Sequence, residues 1–144
     1  MDFASILFNT YYIGLYLQMS ATDIHFFLHL REQIKVYHWQ TRIYARHIAT
    51  DKVLKELDML IDSYVEVYIG KYGRPRLSKE TGTIVIQNMT ESGIVRAVQA
   101  AARHIEMSIA KRLSREEDHN SDLLNILDEI KTHLNQLLYL FTLK

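Results

Sequence analysis

Apolar residues recur at helical spacing along most of the chain, and two of these stripes cannot lie on one side of a single helix. Ile24, Phe27, Leu30, Ile34 and Tyr37 form the first, behind Thr22 and Asp23 as a helix-start signal. Leu54, Leu57, Ile61, Tyr64 or Val65, and Tyr68 form the second, ending near Gly70 and Gly73. At about 100° per residue, Ile34 and Ile61 fall roughly 180° out of phase. The chain must therefore turn between Gln40 and His47, although neither Gly nor Pro marks the place.

Thr90 and Glu91 open a third stretch with Ile94, Val98, Ala101, Ile105 and Ile109 in register. A polar, acidic loop from Ser114 to Asn120 follows, and Asn120 or Ser121 caps the last helix. Its stripe is the cleanest of the four: Leu123, Leu127, Ile130, Leu134, Leu137 and Phe141. Between the second and third stretches lies a long connection, from Gly73-Arg74-Pro75 to about Met89, with a β-prone piece at Thr83 to Ile86. Two short connections around one long one predict an all-α fold, a four-helix bundle with a long crossover between the second and third helices. The bundle is expected over residues 21–144 and an apolar extension over residues 1–20.

Composition narrows the chemistry. The 144 residues suffice for one domain with a real core. Lys plus Arg and Asp plus Glu number 17 each, so net charge gives no argument for nucleic acid or an anionic membrane surface. No Lys or Arg precedes Arg31 and none but Lys144 closes the chain, so sequence-specific nucleic-acid binding is not expected. The run from Ser5 to Leu17 lacks the basic leader of a signal peptide and is too short to span a bilayer. It reads as a packing or oligomer-contact segment of a cytoplasmic protein. With no Cys in the chain, any metal must take His and carboxylate ligands.

Such ligands concentrate between His38 and Glu66. His47 and Asp51 are four residues apart, as are Asp62 and Glu66, so each pair shares a helix face. Asp51 and Asp62 point within about 20° of each other but are about 16 Å apart along the axis. One helix cannot bring both pairs to one ion. An antiparallel copy related by a two-fold axis can, setting His47 and Asp51 opposite the neighbour's Asp62 and Glu66. His38 lies on the far side of a continuous helix from His47, so both reach one site only across the turn that the stripes demand. Imidazole with carboxylate suits iron, with zinc or manganese as chemical alternatives.

The spacing His47-x3-Asp51-x10-Asp62-x3-Glu66, preceded by His38-Trp39, resembles the ferroxidase signature of Dps proteins, the mini-ferritins of the ferritin-like superfamily. Gly70-Lys71-Tyr72-Gly73-Arg74-Pro75 and the stretch from Asn120 to Leu124 are similar to the same family, so the likeness covers roughly residues 22–144. His38-Trp39-Gln40-Thr41 with Tyr44-Ala45-Arg46-His47 looks closest to a Dps-like group encoded by large DNA viruses and phages. The interval between the two histidines is three residues shorter than is usual in Dps.

The resemblance implies a ferritin-like bundle that binds iron and oxidises Fe(II) with peroxide or oxygen at a two-fold subunit interface. His38, His47 and Asp51 would come from one subunit, and Asp62 and Glu66 from its partner. Trp39 occupies the position of the tryptophan that takes up oxidising equivalents beside the site. A twelve-subunit cage storing ferric mineral is the family's larger assembly, and Glu116, Glu117, Asp118 and Asp122 could then line a pore for iron entry. The competing expectation is a non-catalytic helical oligomer or interaction protein with a degenerate metal site, supported by the aromatic N-terminal run.

Overall fold

A computed structural model describes residues 3–114 and 119–143, with side chains from residue 21 onward, and its regular structure is helical. Helix α1 covers Phe3–Gln40 and α2 covers Tyr44–Tyr72. Helix α3 starts as Glu91–His104, passes through a π-helical segment at Ile105–Ala110 and finishes at Lys111–Leu113. Helix α4 covers Ser121–Leu140. No strand occurs among the described residues, and no helix among them is long and apolar enough to cross a membrane.

The turn between α1 and α2 falls where the out-of-phase stripes require it. Thr41 N–H closes α1 on the Tyr37 carbonyl at 2.9 Å, and Ile43 then adopts an extended conformation. The Thr41 hydroxyl accepts from Ile43 N–H at 3.2 Å, so a side chain supports the reversal that Gly or Pro often makes. At the other end of α2, Gly73 has φ 94° and its N–H reaches the Ile69 carbonyl at 2.9 Å. That backbone conformation favours glycine. Thr90 caps α3 as expected, accepting from Gly93 N–H at 3.0 Å.

Side-chain contacts fix the helix directions. Asp23 meets Tyr64 near one end of the α1–α2 pair, and His38 meets His47 at the other, so these helices are antiparallel. Tyr37 bonds Glu91 while Asp23 bonds Arg112, so α3 is antiparallel to α1. The connection from Gly73 to Thr90 must therefore travel the length of the bundle. Four helices close around one core in which Phe27, Ile34, Leu57, Tyr64, Ile94, Ile105, Leu127 and Leu134 are fully buried.

Three local expectations change. Thr22 and Asp23 do not begin a helix, because α1 runs through them without a break. Asp23 is 2% exposed, accepting from Tyr64 Oη at 2.9 Å and from Arg112 Nη2 at 2.5 Å. Burial pushes its carboxyl upward from the ordinary range, against the pull of Arg112. The side chains of Ser5 to Leu17 lie outside the described residues.

Thr83 to Ile86 form no strand, because the crossover lies along a helix and not beside another strand. Its main-chain groups bond α1 side chains instead. His25 Nε2 donates to the Thr83 carbonyl at 2.8 Å. The Gln33 amide donates to the Gln87 carbonyl at 2.6 Å and accepts from Gln87 N–H at 3.0 Å. Asn120, finally, stands at the head of α4 but its side chain does not cap it. Buried at 3% exposure, it donates to the Leu113 carbonyl at 3.1 Å and accepts from Tyr72 Oη at 2.6 Å, tying α2 and α3 to the last loop.

Candidate metal centre

The last turn of α1 and the first turn of α2 lay His38 and His47 face to face. Their ring centroids are 3.9 Å apart and the planes differ by 20°. Each Nδ1 lies 3.0 Å from the other residue's backbone carbonyl oxygen, and His38 Nδ1 is also 2.9 Å from Thr50 Oγ1. A carbonyl can only accept, so these bonds assign the proton to Nδ1 on both rings. Thr50 spends its own hydrogen on the Arg46 or His47 carbonyl, at 2.8 and 3.0 Å, and leaves its oxygen to accept from His38.

The consequence is chemical. With Nδ1 protonated, each Nε2 carries a lone pair, and a second-site bond to a carbonyl is the arrangement that orients a metal-binding imidazole. His38 is 6% exposed, and burial followed by its neighbour His47 pushes its pKa below the ordinary histidine value. It is therefore neutral, as a ligand must be. Lone pairs lie in the ring planes, and two nearly parallel planes do not converge on one ion at bonding distance. As stacked, the two imidazoles could not share one ion.

The acids of α2 divide sharply. Asp51 is held by Lys55 at 2.9 Å, which keeps its carboxyl below the usual range and ionised. Asp58 takes Arg31 at 2.8 and 3.2 Å, and Glu56 faces His133 at 3.9 Å. Asp62 and Glu66 are exposed and, among the described residues, have no hydrogen-bond or ion-pair partner. They lie more than about 20 Å along the helix from His47. Among the described residues no group of three His, Asp or Glu could hold an ion. One chain thus brings two nitrogen donors together and leaves two unpaired carboxylates elsewhere on the same helix.

Trp39 is not a core residue. It is 68% exposed, with Lys35 Nζ 5.4 Å from its ring centroid. Ile43, Tyr44 and Ile48 are exposed beside the same turn, so an apolar surface flanks the histidine pair. The sequence reading missed this surface and missed Thr50, whose place three residues after His47 on the buried face was the available signal. Asp122 is paired with Lys71 at 2.9 Å, which lowers its pKa and offsets its charge. Glu116, Glu117 and Asp118 lie outside the described residues. Of the other histidines, His25 holds the crossover, and the His104 ring lies tilted against Phe26 with centroids 4.4 Å apart.

No curated protein and no solved structure matches this chain. A family of unknown function matches residues 38–141, a span that begins at the first candidate ligand and contains the other four. On that match the chain belongs to the family of unknown function DUF5856.

Proposed function

We propose that this protein is a ferritin-like ferroxidase of Dps type, binding Fe(II) as substrate where two copies of α2 meet antiparallel across a two-fold axis. The observation that carries the reading is the reciprocal pair of Nδ1–H···O=C bonds, which frees two Nε2 lone pairs beside an exposed apolar surface. Asp62 and Glu66 support it as the α2 acids without a partner among the described residues. In the two-fold arrangement they approach His38, His47 and Asp51 of the other subunit, and their charge offsets that of the cations. Two Fe(II) ions give up one electron each, and a peroxide accepts both with two protons to become water. Trp39, beside the site and exposed, is placed to intercept oxidising equivalents. Zinc or manganese would satisfy the same donors without completing that chemistry in the same way.

Anaerobic titration of Fe(II), followed by peroxide and ferric absorbance, tests this. Saturable binding and fast oxidation, both lost in Asp62→Ala with the fold intact, are expected. Unchanged kinetics in that variant would remove Asp62 from the site. The exposed surface of Trp39, Ile43, Tyr44 and Ile48 also supports a second reading, a non-catalytic helical oligomer. Absence of Fe(II) binding above buffer, with self-association retained, selects it.

A further inference from the structure

The stacking of His38 on His47 has a main-chain basis. Apart from Thr50, each partner of the two Nδ1 atoms is a backbone carbonyl at the opposite residue. The geometry of the pair is therefore set by where the backbone of residue 38 lies relative to that of residue 47. Helix ends joined by a three-residue turn can rotate against each other unless something clamps them.

The neighbouring residues supply a clamp. Tyr37 and Arg46 each directly precede one of the two histidines, and their side chains meet beside the turn. Arg46 Nη1 donates to the Glu91 carbonyl at 2.7 Å, to Glu91 Oε2 at 3.2 Å and to Tyr37 Oη at 3.3 Å. Its Nη2 donates to the Phe141 carbonyl at 3.1 Å, and the guanidinium lies 4.7 Å from the Phe141 ring centroid. Glu91 accepts in turn from the Tyr37 hydroxyl and from Thr41 Oγ1, the latter at 2.9 Å. One guanidinium and one carboxylate thus join α1, α2, the head of α3 and the end of α4 on both sides of the turn. The Arg46 side chain is 14% exposed and that of Glu91 42%, so the guanidinium is shielded from water while the carboxylate is partly open to it. Only a planar fork reaches so many acceptors at once; an ammonium does not.

We propose that Arg46, held by Glu91, is a positioning residue: it keeps the two imidazoles stacked with Nδ1 protonated and Nε2 open to a metal ion. The purpose of this arrangement rests on the metal-binding reading above, but the arrangement itself is measurable without metal.

Two readouts test it on the full-length protein. Long-range proton–nitrogen correlation of the imidazoles, recorded with chelator, reports the tautomer of each ring, and calorimetric titration with Zn(II) reports affinity. Arg46→Lys is expected to replace the two Nδ1–H signatures with mixed tautomers and to weaken Zn(II) about 10- to 100-fold. Glu91→Gln keeps one of the two acceptor oxygens, replaces the other with a donor and loses the charge, and should give a smaller change of the same kind; it carries the test if Arg46→Lys does not fold. Ile130→Val, a core change remote from the turn, should lower stability and leave both readouts alone. The proposal is overturned if Arg46→Lys and Glu91→Gln keep the wild-type tautomers, or if Ile130→Val reproduces their effect. Wild-type protein that takes up no Zn(II) contradicts the metal reading, and the tautomer comparison then decides the positioning role by itself.

Discussion

Polar side chains are buried between α1 and α2 at both ends of the hairpin, but the two ends use them differently. At the Asp23 end a carboxylate, a phenol and a guanidinium turn toward one another: Tyr64 and Arg112 both donate to the same Asp23 oxygen. Among the described residues, only Arg112 Nε is left buried without a partner. At the His38 end each imidazole gives one nitrogen to the backbone and keeps the other. A buried group that exhausts its hydrogen bonds inside the chain acts on stability. One that retains a lone pair after its tautomer is fixed has something to offer a ligand.

The comparison predicts that stability and metal binding respond in opposite order along the hairpin. Asp23→Ala should destabilise most, by about 3–5 kcal/mol, because it strands a buried guanidinium. Urea unfolding measures this, and Zn(II) affinity of the folded fraction should be unchanged. Thr50→Val removes an acceptor from His38 with little change of shape and should cost about 1 kcal/mol by the same method. It should weaken metal only modestly, since the His47 carbonyl still holds Nδ1. A loss as large as that in His47→Ala would make Thr50 part of the site.

The histidine end also predicts a pH dependence. Burial depresses the His38 pKa, so the unfolded chain takes up a proton near pH 6.5 while the folded chain does not. Stability should therefore be fully present above about pH 6.5 and decline as pH falls below it. His38→Gln should flatten that decline, and a slope unchanged by the substitution would assign it to other groups. Asp62→Ala closes the series with the smallest effect on unfolding, within about 0.5 kcal/mol for an exposed, unpartnered side chain. If it destabilised the single chain substantially, Asp62 would belong with Asp23 and not with the proposed metal site.

The contrast also explains what could be read from the sequence. Opposed stripes demanded a turn between Gln40 and His47, and that alone brings His38 and His47 together. The in-phase acids on α2 followed from helical spacing, and so did their separation. Asp23 was misread because a carboxylate ahead of an apolar stripe is the local signal for a helix start. Its actual partners, Tyr64 and Arg112, lie 41 and 89 residues away. Nothing local marks Gln33, which takes the place of a neighbouring strand for Gln87. The π-helical segment at Ile105–Ala110 had no Gly or Pro to announce it. Spacing within a helix is local information; the partner of a buried polar group depends on which helices the fold sets side by side.

The central claim is that a working site takes ligands from two chains, and complementation between inactive variants tests it most directly. His47→Ala and Asp62→Ala chains would be refolded separately and as an equal mixture, then titrated anaerobically with Fe(II). Each variant alone should bind nothing above buffer. Random pairing makes half the dimers mixed, and each mixed dimer holds one intact site of two, so about a quarter of the wild-type capacity should return. A mixture that binds no more Fe(II) than its parents, although mixed dimers are shown to form, would contradict the shared site.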